Sequence, residues 1–235
     1  MSFAKEFFDV GLFTNQADSI RAFYNQLGLT FDHTLKLGGG VLQHRYPAGG
    51  AVLKINDARD PLPRHRRTVS PRPSSPPAPL IELIIASTSC SSPNTKVDPD
   101  GTRVTSVPAG HQGIQGLALR LRVRNTAISS AFYTTAIGMS LVSPGVLSCG
   151  QGLLLLEDAP EAEPDEAPLA ALGLRYLTLQ VFDCDAAYAS ALKAGATSGR
   201  APVTLGDTAR IAFVRDPDGI WIELSERASV TGKAV

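Results

Sequence analysis

Alternation of apolar and polar residues opens two stretches of the chain in the same way. Val10 and Leu12 alternate with other residues near the beginning, and Leu119, Leu121 and Val123 do so in the middle. A period of two residues is typical of half-buried strands. Each stretch then passes through a polar turn into a segment with helical spacing of apolar residues. We therefore predict a strand followed by a helix at both places.

Two longer phrases are doubled along the chain. RAFYNQLGL at residues 21–29 is echoed by SAFYTTAIGM at 130–139, and VDPDGTRVTSVP at 97–108 is echoed by RDPDGIWIELSE at 215–226. The shared Asp-Pro-Asp-Gly favours a tight turn between two strands. Two different phrases, each present twice, indicate a fold built from duplicated units.

The repeated unit is a strand, a helix and three further strands. Complete copies are predicted at residues 6–57, 114–157 and 172–226. The copy at 79–108 is truncated, because the distance from its opening strand to its closing hairpin is short by about a helix and a strand. We expect a Pro-rich loop at 58–78, an acidic, Pro-rich connection between the last two copies, and a tail at 229–235.

Composition excludes several classes of protein. The formal net charge is zero and 43% of the residues are hydrophobic, which argues against a nucleic-acid partner because such proteins need a basic surface. No apolar run approaches the ~18 residues of a membrane span, and the N-terminal residues lack the pattern of a signal peptide. Three widely spaced cysteines argue against a disulfide framework. We expect a cytoplasmic protein; a homodimer formed by exchange of modules is left open.

The AFY-bearing helix between strands and the DPDG-IEL ending together resemble the vicinal oxygen chelate superfamily, which includes glyoxalase I, extradiol dioxygenases and bleomycin-resistance proteins. The resemblance implies an α+β fold with four βαβββ-type modules, the second one truncated. These would form two bowl-shaped mixed β-sheets with helices outside, one from residues 1–108 and one from 111–228. It implies a small-molecule partner and lyase, isomerase or ring-cleavage chemistry on an oxygen-rich molecule. The alternative is a non-catalytic binding protein of the bleomycin-resistance type.

Metal-dependent members of this superfamily place a histidine on the first strand and a glutamate on the last strand of a module. The first-strand positions of the four modules hold Asp9, Glu82, Ala118 and Tyr176, and the last-strand positions hold Lys54, Thr105, Leu155 and Glu223. The resemblance thus admits Fe, Mn, Zn or Ni. However, no histidine occupies these positions and only Glu223 matches, so we predict no firm metal site.

Two cavities are predicted from these positions and from strand parity. In the second bowl, Glu223 or Tyr176 would move a proton. The residues of that bowl with the same inward parity, which would hold the substrate, are Arg120, Arg122, Thr178 and Gln180. A salt-bridged polar cavity without turnover is the alternative.

The second predicted cavity lies in the first bowl. It would combine Asp9, Lys54 and Glu82, as a general base, a hard-metal site or a buried ion-pair cluster. The charge of Lys54 argues against a metal there. His44 would join this cavity if the even-numbered residues of its strand face inward.

Overall fold

The structure, a computed structural model, describes residues 1–62 and 81–235. The predicted Pro-rich loop 58–78 lies outside the described residues from residue 63 onward.

The first module has the predicted order of one strand, one helix and three strands. Its elements are β1 (Asp9–Thr14), α1 (Ala17–Gln26), β2 (Thr34–Lys36), β3 (Leu42–Ala48) and β4 (Ala51–Asp57). Helix α1 buries Ile20 and Tyr24, which lie four residues apart and so share one face of the helix.

The second module is truncated, as predicted. Its described part consists of β5 (Ile81–Ser87), β6 (Asn94–Val97) and β7 (Arg103–Pro108), with no helix between residues 81 and 108. Strand β6 lies at the edge of its sheet and all four of its residues are exposed.

The third and fourth modules are complete. The third comprises β8 (Leu117–Val123), α2 (Thr126–Phe132), β9 (Ser140–Ser143), β10 (Val146–Cys149) and β11 (Gly152–Asp158). The fourth comprises β12 (Gly173–Gln180), α3 (Cys184–Lys193), β13 (Thr197–Leu205), β14 (Ala209–Arg215) and β15 (Trp221–Arg227). A short helix, α4 (Ala228–Thr231), begins the predicted tail.

The strands of the described residues form two mixed sheets. The larger sheet has the strand order β13-β14-β15-β12-β1-β4-β3-β2, and the smaller sheet has the order β6-β7-β5-β8-β11-β10-β9. The first module therefore shares a sheet with the fourth, and the second with the third. The α+β fold with two curled sheets of repeated modules is confirmed.

The prediction that consecutive modules share a bowl is wrong. Strand β1 pairs antiparallel with β12, and β5 pairs antiparallel with β8. Only residues 109–116 connect β7 to β8, and this short linker lets β8 turn back beside β5. The fourth module then completes the sheet that the first module began.

One apolar core lies between the two sheets and beneath the helices. Val10 and Leu53 of the larger sheet, Leu83 and Leu119 of the smaller sheet, and Phe132 of α2 all belong to one buried cluster. The predicted packed face of the strands thus points to this core. The residues of opposite parity line the concave face of each sheet.

The two doubled phrases contact each other. The Tyr24 hydroxyl donates to Asp98 Oδ2 at 3.1 Å, and the Tyr133 hydroxyl donates to Asp216 Oδ2 at 2.9 Å. Each pair joins the AFY helix of one module to the DPDG turn of the next, and all four residues are buried. Because the partners belong to different sheets, each pair ties the larger sheet to the smaller one.

The acidic connection between the last two modules is anchored to the sheet. Asp165 Oδ2 accepts a hydrogen bond from Arg175 Nη1 at 2.8 Å. Both side chains are buried, so the pair holds the connection against β12.

Candidate functional site

The concave face of the larger sheet collects site residues of the first and fourth modules. Strand β12 lies between β1 and β15, so Asp9, Thr178 and Glu223 stand side by side in one row. Tyr176 and Gln180 face the same side because side chains alternate along a strand. Residues that were predicted to lie in two separate bowls therefore share one surface.

Lys54 reaches this row from strand β4. Its Nζ donates to Thr178 Oγ1 at 2.7 Å and to Glu223 Oε2 at 2.9 Å. The Thr178 hydroxyl also donates to Glu223 Oε2. Lys54 is 2% exposed and Glu223 is 7% exposed, so their charges form a buried ion pair.

Gly11 on β1 makes room for this arrangement. It pairs with Tyr176 on one side and with Lys54 on the other. A Cβ at position 11 would lie 2.0 Å from Cζ of Tyr176, so the ring lies directly over the glycine. The Lys54 Nζ lies 5.6 Å from the centroid of that ring. A glycine inside a predicted strand is the sequence signal for such a close approach.

A chain of hydrogen bonds extends the polar surface towards β3. Asn56 Nδ2 donates to Tyr176 Oη at 3.2 Å, and Gln43 Nε2 donates to Asn56 Oδ1 at 2.9 Å. Arg45 Nη1 in turn donates to Gln43 Oε1 at 3.0 Å. These three polar residues were not predicted as part of the site, although Asn56 has the same strand parity as Lys54.

Asp9 is held by several donors at the edge of the same surface. Its carboxylate accepts hydrogen bonds from Lys5 Nζ, from the Val52 amide at 3.0 Å and from Gln180 Nε2 at 3.4 Å. The carboxylate of Asp9 is therefore hydrogen-bonded to these three groups and not directly to Lys54.

Burial sets the protonation of the central groups. Desolvation lowers the pKa of Lys54, with a further lowering by the charge of Arg45, while Glu223 and Asp9 act in the opposite direction. Desolvation raises the pKa of Tyr176, and the charge of Glu223 adds to this effect. The phenol therefore keeps its proton at neutral pH.

Three buried polar atoms on this face have no hydrogen-bond partner among the described residues: Gln180 Oε1, Ser225 Oγ and Arg227 Nε. Gln180 of β12 stands opposite Ser225 of the neighbouring strand β15, and Arg227 lies two residues further along β15 on the same side. Buried polar groups are nearly always bonded to protein, water or ligand. This part of the face therefore offers hydrogen-bonding groups to a bound molecule.

An apolar wall borders the polar surface on the side of the fourth module. Tyr176 packs edge-on against Phe213 with ring centroids 5.8 Å apart, and Phe213 packs against Trp221 at 6.2 Å. Phe13 and Ile211 join the same apolar cluster. The face thus combines a charged, polar floor with an aromatic wall.

The residues at the four metal positions of the larger sheet do not fit a metal ion. These residues are Asp9, Lys54, Tyr176 and Glu223. The ammonium group of Lys54 bonds Glu223, the one carboxylate that matches the superfamily pattern. Among the described residues, no three His, Cys, Asp or Glu side chains are placed to hold a metal.

The smaller sheet carries the other four superfamily positions. The one carboxylate among them, Glu82, is bonded by residues of the same sheet. Glu82 accepts hydrogen bonds from Thr105 and from Arg120 Nη1, the latter at 2.9 Å, and lies 3.4 Å from Arg103 Nε. Ala118 contributes only apolar surface there. Glu82 therefore does not join Asp9 and Lys54, which lie in the other sheet.

The two arginines predicted to hold substrate beside Glu223 are also in the smaller sheet. Arg122 Nε lies 3.4 Å from Glu157 and Arg122 Nη2 lies 3.8 Å from Glu161, while Arg120 pairs with Glu82. Their predicted place beside Glu223 is wrong, because the third and fourth modules belong to different sheets.

His44 faces away from the concave surface. It stands opposite Ile55 in the β3–β4 hairpin, while Arg45 stands opposite Lys54. Its ring bonds Thr34 Oγ1 at 2.8 Å and packs against Phe31. The hairpin register makes odd-numbered residues of β3 face inward, so the predicted position of His44 in the cavity is wrong.

The fold of four modules in two curled sheets defines the class of protein, and comparison with known proteins assigns residues 113–224 to a family. Residues 113–224 match the family model of the Glyoxalase/Bleomycin resistance protein/Dioxygenase superfamily. These residues form a domain of this superfamily, as the resemblance predicted for this part of the chain. No curated protein sequence matches the chain.

Solved structures share the fold over nearly the whole chain. Glyoxalase I from Zea mays is 15% identical, with a TM-score of 0.71 over 94% of this chain and 92% of that one. A proposed dioxygenase from Bacillus subtilis subsp. subtilis str. 168 is 10% identical, with a TM-score of 0.63 over 98% of this chain and 91% of that one. At these identities the likeness concerns the fold alone.

No helix among the described residues is long and apolar enough to cross a membrane. The cytoplasmic location, the homodimer and the absence of a nucleic-acid partner stay predictions.

Proposed function

We propose that the concave face of the larger sheet binds a small, oxygen-rich molecule with an apolar part, and that it does so without a metal ion. The observation that carries this proposal is the Lys54 ammonium among the four metal positions, bonded to Glu223 and Thr178. A buried positive charge attracts carbonyl, enolate or carboxylate oxygens, as a metal ion would.

Two further features support the same ligand class. The unpartnered atoms of Gln180, Ser225 and Arg227 provide additional contacts for oxygens. The wall formed by Phe213 and Trp221 provides apolar surface for a ring or chain. Such a mixture of apolar walls and a few placed polar groups is typical of small-molecule sites.

Binding without turnover is the function that this geometry supports best. Of the two predicted catalytic residues, Tyr176 has its hydroxyl oxygen bonded by Asn56, and Glu223 is held by Lys54 and Thr178. Acid–base chemistry by Glu223 is the second candidate, because its contact with Lys54 at 2.9 Å provides a route for proton exchange.

Thermal shift in buffer with EDTA tests the proposal. Phenylpyruvate, pyruvate and catechol serve as probes, with the wild-type protein, Lys54→Met and Arg122→Ala, a control in the smaller sheet. We expect a probe to stabilise the wild type and the control by about 2–3 kcal/mol when it is present at a hundredfold excess over its Kd, and to have no effect on Lys54→Met. The proposal fails if stabilisation requires added Fe, Mn, Zn or Ni, or if Lys54→Met responds like the wild type.

Proton NMR of a bound probe separates the two candidates. An unchanged probe after prolonged incubation supports sequestration. Conversion that disappears in Glu223→Gln supports acid–base catalysis.

A further inference from the structure

We propose that Lys54 forms an imine with a ligand that carries a ketone or aldehyde group, so that this protein captures carbonyl compounds covalently and reversibly. This inference rests on the proposed binding function of the concave face. It goes beyond that function by giving Lys54 the role of a nucleophile.

The surroundings of the Lys54 amino group match what such a reaction needs. Glu223 Oε2 lies 2.9 Å away and can accept a proton from the ammonium. Thr178 Oγ1 lies 2.7 Å away and bonds both groups, which keeps the amine and the carboxylate together. A nucleophile within hydrogen-bonding reach of a base is the common signature of covalent catalysis.

The amine also lies where its positive charge is disfavoured. Lys54 is 2% exposed, and Arg45 stands directly opposite it in the β3–β4 pair. Desolvation and the charge of Arg45 lower the pKa of Lys54, against the opposing effect of Glu223 and Asp9. Burial and a neighbouring cation are the two conditions that increase the fraction of neutral amine, which is the nucleophilic form.

The reaction can be written with atoms and charges in balance. Glu223 takes one proton from the ammonium, and the nitrogen lone pair forms a bond to the carbonyl carbon. The nitrogen passes a second proton to the carbonyl oxygen, which becomes the hydroxyl of a neutral carbinolamine. That hydroxyl then leaves as water after protonation by Glu223, and the nitrogen keeps one proton in the resulting iminium ion. No oxidant or reductant is consumed, and the carboxylate ends as it began.

The rest of the face indicates which carbonyl compounds suit the site. Arg227 Nε and Ser225 Oγ lack partners and can bond a carboxylate, and the aromatic wall of Phe213 and Trp221 suits a ring. An aromatic 2-oxo acid combines all three groups, so phenylpyruvate is the probe of choice.

Trapping with cyanoborohydride tests the inference on the whole chain of 235 residues. Cyanoborohydride reduces an iminium ion to a stable secondary amine, so intact mass and peptide mapping report the site of reaction. We expect one adduct per chain, located on Lys54. The adduct should be lost in Lys54→Arg, which keeps a positive charge, and kept in Lys193→Arg, which changes an exposed lysine at the end of α3.

The outcomes separate this inference from the proposed function. Thermal stabilisation by phenylpyruvate without any adduct on Lys54 overturns the imine and leaves the binding function intact. Adducts spread over the exposed lysines overturn it as well. Absence of both stabilisation and adduct contradicts the proposed function itself. If Lys54→Arg does not fold, the peptide map of the wild type still decides whether Lys54 reacts.

Discussion

The four superfamily positions carry different charged groups in the larger sheet and in the smaller sheet. In the larger sheet these positions hold three ionisable side chains around a buried ammonium, which bonds Glu223 and Thr178. In the smaller sheet the carboxylate of Glu82 is neutralised by Arg120 and Arg103, which are 33% and 45% exposed at their side chains.

The contrast extends to the space above each sheet. The smaller sheet borders a groove of about 590 Å³ that is lined by Val146, Leu153 and Leu155 together with glutamine amides. The larger sheet instead carries a row of buried polar atoms, three of which lack partners among the described residues. One fold thus supplies a largely apolar groove on the smaller sheet and a charged face on the larger sheet, to which we assign the proposed ligand.

The largest effect on stability is expected from a substitution that breaks the ion pair of the larger sheet. We expect Lys54→Met to cost about 3–5 kcal/mol in the free energy of unfolding, because it leaves the buried carboxylate of Glu223 without its cation. The double variant Lys54→Met/Glu223→Met should recover most of this loss, since no buried charge remains. Urea unfolding of the two variants measures both effects.

Glu82→Gln is the matched change in the smaller sheet. It should cost less than Lys54→Met, because Arg103 and Arg120 can turn to water when the carboxylate is removed. Equal losses in the two sheets would contradict the distinction between them.

The next largest effect concerns the pairs that tie the sheets together. Tyr133→Phe removes the hydrogen bond to Asp216, and Tyr24→Phe removes the one to Asp98. At pH 8, where both carboxylates are ionised, we expect each to lower the free energy of unfolding by about 1.5–3 kcal/mol, the usual contribution of a bond to a charged group. Tyr188→Phe, which loses an exposed hydroxyl contact with Ser198, should cost less when the three variants are compared by thermal unfolding.

The same pairs make stability depend on pH. Burial raises the pKa of Asp216 to about 7 and that of Asp98 to about 6. Because the folded protein binds these protons more tightly than the unfolded chain, their contribution is present below about pH 4 and is lost as pH rises to about 7. Each group contributes a slope of at most about 1.4 kcal/mol per pH unit.

Asp216→Asn tests the origin of that slope. Between pH 5 and 8 the variant should lose less unfolding free energy than the wild type, as measured by urea titration at each pH. Parallel curves would show that Asp216 does not titrate in this range.

The smallest expected effect concerns an arginine of the smaller sheet. Arg122 pairs with two largely exposed glutamates, so Arg122→Ala should change stability by no more than about 0.5 kcal/mol. It should also leave phenylpyruvate binding unchanged. A loss of phenylpyruvate binding in this variant would indicate that the binding site lies on the smaller sheet.

Local patterns predicted the modules well, including the missing helix of the second one. They also selected Asp9, Lys54, Thr178 and Glu223 as inward-facing positions. The prediction of which modules share a sheet was wrong, because alternation along a strand specifies its buried face and not its neighbouring strand. His44 was misplaced for a related reason, since the parity of β3 depends on its register with β4.

The sequence by itself determined the repeated unit, the turns at Asp98 and Asp216, and the absence of histidine from the metal positions. These are properties of short segments, where residue type and spacing act over a few bonds. Only the tertiary structure decided that Lys54 meets Glu223, 169 residues away along the chain. That contact depends on β12 pairing with β1, and its strength depends on burial, which arises only when both sheets close on their common core.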